Sequence, residues 1–242
     1  MRALGPCAAA LAALALAAQG CSVKGADNAD LIGGKQQFVA KCGSCHTLAR
    51  ANTKGTFGPN LDEAFRQSLA EGEQRSTVRG VVEAQVLNPT PNPDPSAVMP
   101  KGLAGGAALR NIAAYVSQAV DRPGQDTGLL ATAVAPAGAG KPAVEKAGKL
   151  SLEAAPSGQL AYVTNKASAK AGPVTIAMPN SSGVSHNIAV QQGTNGAVLG
   201  ASSFISKGST SVTVTLKPGA YTFFCQVPGH RAAGMEGTLS VK

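Results

Sequence analysis

The residues of this 242-residue chain best able to bind metals are also among its scarcest: five Cys, three His and four Met. Most of them fall into two clusters. The first is Cys42-Gly43-Ser44-Cys45-His46, a C-x-x-C-H motif. Two thiols one helical turn apart can reach the two vinyl groups of a single haem, and the imidazole that follows can reach its iron. A redox dithiol or a disulfide is the other reading of the cysteine pair, but neither calls for a His directly afterwards. The second cluster is Cys225, His230 and Met235, in the pattern C-x4-H-x4-M. It sets a thiolate, an imidazole and a thioether around one tight loop. A thiolate with two imidazoles in a plane and a weak axial thioether makes a mononuclear type 1 copper centre. The second imidazole must come from elsewhere, and once His46 and His230 are assigned only His186 remains. Taken singly, these residues could be a buried thiol, a turn His, a core Met and a surface His. The case for copper rests on their joint spacing.

Counting excludes richer chemistry. A binuclear copper centre needs two Cys in one loop, and this loop has one. A catalytic copper needs further histidines, and none are left. With both clusters assigned, no cysteine pair remains for a structural disulfide, and Met178 beside Pro179 reads as core packing. No Ser-His-Asp set or paired carboxylates accompany a pocket-forming motif. The expectation is an electron carrier rather than an enzyme, with no small-molecule substrate.

The elements that must position these residues differ between the two halves. Residues 29–42 and 104–120 have helical apolar spacing, through Leu31, Gly34 and Phe38 and through Leu109, Ile112, Tyr115, Val116 and Ala119. A third stripe of Val78, Val81, Val82 and Val86 stops at Asn88-Pro89. Prolines and asparagines then enforce an extended loop from Asn88 to Pro95. Residues 123–148 are rich in Ala, Gly and Pro and predict a flexible linker, whose r.m.s. span as a coil would be roughly 25–30 Å. After Lys149 the period becomes two, at Leu150–Leu152, Leu160–Val163, Val174–Ile176, Val212–Leu216 and Thr238–Val241, which predicts an antiparallel sandwich. The fold class expected is therefore two domains, all-α then all-β, with boundaries at 21–122 and 149–242.

The first of these domains resembles the class I cytochromes c over about 95 residues. In that family a helix with Gly and Phe on one face precedes the haem motif, as Gly34 and Phe38 do here, and a later helix bearing an aromatic crosses it, matching Tyr115. Gly58-Pro59-Asn60-Leu61 is placed like the family's G-P-x-L. The resemblance implies that the Pro59 carbonyl fixes the ring of His46 by accepting its hydrogen bond. Met99, in Val98-Met99-Pro100, sits where the axial Met of class I proteins does, and it is the only Met between residues 21 and 122. A thioether there would close the iron to substrates. A buried core Met with a five-coordinate iron is the alternative.

Residues 150–242 resemble the cupredoxins, with a Greek-key sandwich, and most closely the rusticyanin and auracyanin branch, where the C-x4-H-x4-M spacing recurs. The resemblance implies that Asn187, directly after His186, braces the ligand loop. The cofactors implied are one covalent haem c, through Cys42, Cys45, His46 and Met99, and one type 1 copper, through His186, Cys225, His230 and Met235.

The amino terminus reads as an export signal over residues 1–20: Arg2, an Ala/Leu stretch, then Ala18-Gln19-Gly20-Cys21. Those last four residues resemble a bacterial lipobox, implying lipidation at Cys21, although Ala18 and Gln19 depart from the usual pattern and plain cleavage near Ala15-Leu16-Ala17 is the alternative. The expected location is the periplasm or the outer face of the cell membrane, held there by lipid. The formal net charge is +8, but the basic residues form no tight block, which argues against nucleic acid. The expected role is to relay single electrons between haem and copper in a respiratory chain, between a quinol-oxidising complex and a terminal oxidase or reductase. A copper-delivery module anchored by a cytochrome domain, or a donor subunit of a larger enzyme, are the alternatives. The apolar edge Val227, Pro228, Ala232 and Ala233 is where partners are expected to dock.

Overall fold

The computed structural model describes residues 25, 28–91, 93 and 98–242. Cys21 and the signal segment lie outside the described residues, as do 92 and 94–97 of the proline-rich loop. The amino-terminal part is built on α1 (Leu31–Lys41), α2 (Leu61–Ala64), α3 (Arg66–Ala70), α4 (Arg75–Leu87) and α5 (Gly106–Ala119). A small antiparallel hairpin, β1 (Thr47–Leu48) with β2 (Thr53–Lys54), follows the C-x-x-C-H motif and turns at Asn52, which has a positive φ of 54°.

The Asp30 carboxylate caps α1 by accepting from the N–H groups of Ile32 and Gly33. Leu31, Gly34 and Phe38 form the buried stripe of that helix, as the spacing predicts. Gly34 is required by the crossing with α5: a Cβ there would lie 2.2 Å from the backbone oxygen of Asn111. The close approach brings the Phe38 and Tyr115 rings to a centroid distance of 6.3 Å. On α4, Val78 and Val86 are buried and Val82 packs beside them, while Val81 stays 47% exposed. Val78, Val82 and Val86 follow steps of four along one face, and Val81 falls off that row. The Arg75 guanidinium at the start of α4 donates to Ser117 O and Val120 O, satisfying carbonyls at the end of α5.

The carboxy-terminal part is a β-sandwich. Its larger sheet has the order β3 (Ala143–Val144), β5 (Lys166–Ala169), β11 (Glu236–Val241), β10 (Gly219–Phe224), β7 (Ala189–Gln192), β8 (Val198–Ala201). The smaller sheet is β4 (Lys149–Ser151), β6 (Gly172–Asn180), β9 (Gly208–Leu216). Between them lies a core that includes Leu152, Ile176, Met178, Ile188, Val190, Val214, Phe223 and Leu239, so Met178 is a packing residue. The sheets are mixed rather than purely antiparallel, since β5 runs parallel to β11, β3 to β5 and β4 to β6. Alternation along a strand reports which face is buried and carries no information on the direction of its neighbour. Residues 160–163 form no extended strand; Tyr162 makes a single bridge to Ala154 and is buried beneath Phe223, with ring centroids 5.3 Å apart.

Residues 123–148 depart from the coil that their composition predicts. Asp126 is buried, pairing with Lys35 Nζ at 3.0 Å and Arg50 Nη1 at 3.1 Å and accepting from the Tyr115 hydroxyl at 2.8 Å. Lys35 also donates to Leu130 O, Gln36 to Ala133 O, and Leu130 and Val134 pack on the helical core. At the other end the Gly140 N–H donates to Val163 O, and β3 joins the larger sheet. Such partners lie far away in sequence, where composition cannot register them. Among the described residues no helix is long and apolar enough to cross a membrane.

Candidate metal centres

The carboxy-terminal centre is assembled from two places on the larger sheet. His186 precedes β7 and is fixed by reciprocal backbone hydrogen bonds with Ile205, both 2.9 Å. Cys225 directly follows β10, and the loop after it returns as β11. That loop closes on itself: the His230 N–H donates to Val227 O, the Met235 N–H to His230 O and the Cys225 N–H to Met235 O. Gly229, with φ of +81°, supplies the left-handed backbone that the turn before His230 requires. Within the loop, the Arg231 guanidinium stacks on the Phe224 ring at 4.2 Å and pairs with Glu236 at 2.8 Å.

The loop and His186 converge. His186 Nδ1 lies 3.1 Å from His230 Nδ1, and Cys225 Sγ lies 4.0 Å and 3.6 Å from those two atoms. His186, Cys225, His230 and Met235 are all buried. A triangle of this size suits one ion bonded to each corner at about 2.0–2.3 Å. His186 Nε2 is buried and has no hydrogen-bond partner, so its ring is held by packing and by the groups facing Nδ1. Burial drives both imidazoles toward neutrality, lowering each pKa from 6.5 to about 4, with the neighbouring His230 adding to the effect on His186. Neutral imidazole is the form that binds a metal. Burial also raises the Cys225 thiol, an effect opposed by the backbone N–H groups of Asn187 and Val227. The pocket therefore opposes free charge and supplies its own donors to a thiolate.

Asn187 ties the two halves of the site together. Its Nδ2 donates to Gln226 Oε1 at 2.9 Å and to Ser202 O at 3.3 Å, and its Oδ1 accepts from the Gln226 N–H at 2.8 Å. Thus the residue after His186 is bonded to the residue after Cys225. Two supports escape a reading of the sequence: the Tyr162 hydroxyl donates to Asn187 O, and Ser202 Oγ accepts from the Ile188 N–H. Tyr162 could have been flagged as an aromatic inside an apolar run, but nothing local points it at residue 187.

In the amino-terminal part, Cys42, Cys45 and His46 lie on one turn, with the Cys45 and His46 N–H groups both donating to Cys42 O. Neither thiol forms a disulfide. Cys42 is buried, and burial, followed by the nearby Cys45, pushes its pKa up to about 12. His46 Nδ1 donates to Pro59 O at 2.9 Å, which leaves Nε2 outside that hydrogen bond. Gly58 makes room for that ring, since a Cβ there would lie 2.5 Å from His46 Cε1. Met99 is half-buried and packs against the helical core.

Comparison with known proteins bears on the second half of the chain. Residues 150–242 match the family of copper binding proteins, plastocyanin/azurin family. No curated protein matches the chain. Solved structures similar to it include auracyanin B, at 28% identity over 44% of this chain and 96% of that one with a TM-score of 0.36. Auracyanin A from Chloroflexus aurantiacus matches at 23% identity, covering 42% of this chain and all of its own, with a TM-score of 0.34. Reduced rusticyanin matches at 18% identity over 42% and 84% of the two chains, with a TM-score of 0.33. The carboxy-terminal part is a cupredoxin domain, and its buried cluster of His186, Cys225 and His230, with Met235 buried on the same loop, fits a type 1 copper site.

Proposed function

We propose that this protein relays single electrons between a covalent c-type haem in its amino-terminal part and the copper of its cupredoxin domain. The observation that carries the reading is that the chain presents two donor sets, each supplied with enough side chains to close its metal. His186, Cys225 and His230 would hold the copper, with Met235 completing the donor set from the loop it shares with Cys225 and His230. The hydrogen bonds of Asn187 hold these donors in place, so little needs to move when charge arrives or leaves.

The amino-terminal residues fit a haem. Two unpaired thiols flank Gly43 and Ser44 on one turn, and the adjacent imidazole is oriented through Nδ1 by Pro59, leaving Nε2 for iron. Gly58 keeps clear the space that the ring occupies. When bound, the haem would supply a one-electron couple, and Met99 as the sixth ligand would raise its potential and exclude substrates. In this reading residues 21–122 are a class I cytochrome c domain and 149–242 the cupredoxin.

Export through residues 1–20 would deliver the chain to the compartment where haem is attached, and lipid at Cys21 would hold it at the membrane surface. The partners proposed are redox proteins, a quinol-oxidising complex on one side and a terminal oxidase or reductase on the other. Residues 123–242 carry nine basic and four acidic side chains, which favours an acidic partner and salt-dependent association. Flash photolysis or stopped-flow reduction of the full chain tests the relay. First-order equilibration of haem and copper, independent of protein concentration, supports it. Failure of the two centres to equilibrate within one molecule contradicts it.

A further inference from the structure

The loop that carries His230 and Met235 does not stand free. A Cβ built on Gly229 would lie 3.3 Å from Thr56 Oγ1, and one built on Gly158 would lie 2.6 Å from Ala40 O, at the end of α1. Between these contacts is a cavity of about 240 Å³ whose walls include Gly43, Thr53 and Lys54 from the helical part and Gln159, Ala233 and Gly234 from the sandwich. Gly43 sits inside the C-x-x-C-H motif, and Ala233 and Gly234 sit between His230 and Met235. The turn bearing one donor set thus faces the loop bearing the other. Pro228 and Ala232 are exposed along a groove that Phe224 and Gln226 also line, and neither lines the cavity between the two parts.

The connection between the parts is correspondingly short. Asp126, Leu130, Ala133 and Val134 are bound to the helical part. Gly138 O accepts from the Asn165 N–H, and Ala139 bridges Thr164, so both belong to the sandwich. Only Ala135, Pro136 and Ala137 lie between, so Val134 and Gly138 are at most roughly 14 Å apart when the chain is extended. A coil of the whole 123–148 segment would allow roughly 25–30 Å.

We infer that residues 123–140 act as a latch rather than a tether, seating the Gly229–Gly234 loop on the Gly43 and Thr53–Thr56 surface so that the two centres exchange electrons across one fixed intramolecular contact. This rests on the relay reading for its electrons, but the contact itself does not. Each transfer moves one electron: one metal ion is oxidised as the other is reduced, and no bond or proton changes place. The contact gives the copper loop an inner face for its own chain and leaves Pro228 and Ala232 on an outer face for an external partner.

The test inserts a twelve-residue Gly/Ser segment between Pro136 and Ala137 of the full chain, and separately makes Gly158→Trp at the contact. Small-angle X-ray scattering should show one compact native particle, with or without cofactors, and an expanded, heterogeneous one for the insertion. In the loaded proteins the first-order transfer rate should fall tenfold or more in both variants, while the visible spectra stay as in the native chain. A native particle as expanded as the insertion variant overturns the inference, as does an unchanged rate in both variants. A compact native particle with no intramolecular transfer contradicts the relay instead and leaves the fixed contact standing.

Discussion

Replacing Asn187 by Ala tests how the copper ligands are held. The substitution removes three hydrogen bonds: two donated by Nδ2, to Gln226 and Ser202, and one accepted by Oδ1 from the Gln226 N–H. A net contribution of about 1 kcal/mol each, with one buried carbonyl left short of a donor, sums to about 3 kcal/mol. With a urea m-value near 1.5 kcal/mol per M for a domain of this size, the midpoint should fall by about 2 M. The assay is urea unfolding of the full chain followed at the thiolate-to-copper absorption, which reports this domain alone. Gln226→Ala supplies the scale: it removes only the side-chain acceptor, keeps the backbone N–H bonded to Oδ1, and should cost about 1 kcal/mol. The Asn187 variant should also shift the absorption, because it removes the side-chain bonds that hold the Asn187 backbone N–H against Cys225. If Asn187→Ala costs no more than Gln226→Ala and leaves the band in place, Asn187 is not the brace described above.

Three further outcomes are expected. His186 and His230 have pKa values near 4 in the folded chain, below the ordinary 6.5, so the unfolded chain binds more protons between those values; copper-free protein should therefore lose stability as pH falls from about 6.5 to 4, by about 3 kcal/mol for one imidazole. Denaturant melts of copper-free protein that are flat across that window would contradict the burial argument. Gly58→Ala would set a Cβ within 2.5–2.9 Å of the His46 ring and should perturb the haem spectrum and potential while leaving the copper band unchanged; identical haem spectra would remove Gly58 from the site. Asp126→Asn leaves Lys35 and Arg50 without their shared anion and should destabilise the helical part by about 3 kcal/mol, read by thermal melting at the haem band, whereas a loss below about 1 kcal/mol would mean that the buried network contributes little.

The cluster of His186, Cys225 and His230 was readable because Cys225, His230 and Met235 share one loop, where spacing alone forces proximity, and because only one His was left to join them. Pro59 and Asn187 were readable through family resemblance, and the structure places Pro59 on His46 and Asn187 on the loop after Cys225. Helix positions followed from apolar spacing, with Val81 off the buried row. What composition misjudged is the segment after residue 122. A single Asp among Ala, Gly and Pro looks like solvent-facing polarity, yet Asp126 meets Lys35, Arg50 and Tyr115, contributed by three separate elements or turns. The parallel pairings of β3, β4 and β5 were invisible for a related reason: direction is set by how the chain crosses between sheets, and short strands such as Lys149–Ser151 carry too few residues to show it.

The most direct measurement is the visible spectrum, with metal analysis, of full-length protein matured in a host that attaches haem, recorded oxidised and reduced. The expected result is one iron and one copper per chain, a c-type haem band that sharpens on reduction, and a blue thiolate-to-copper band that bleaches on reduction and is lost alone in Cys225→Ser. A protein that carries copper but never acquires haem at Cys42 and Cys45, or one whose blue band survives the loss of Cys225, would contradict it.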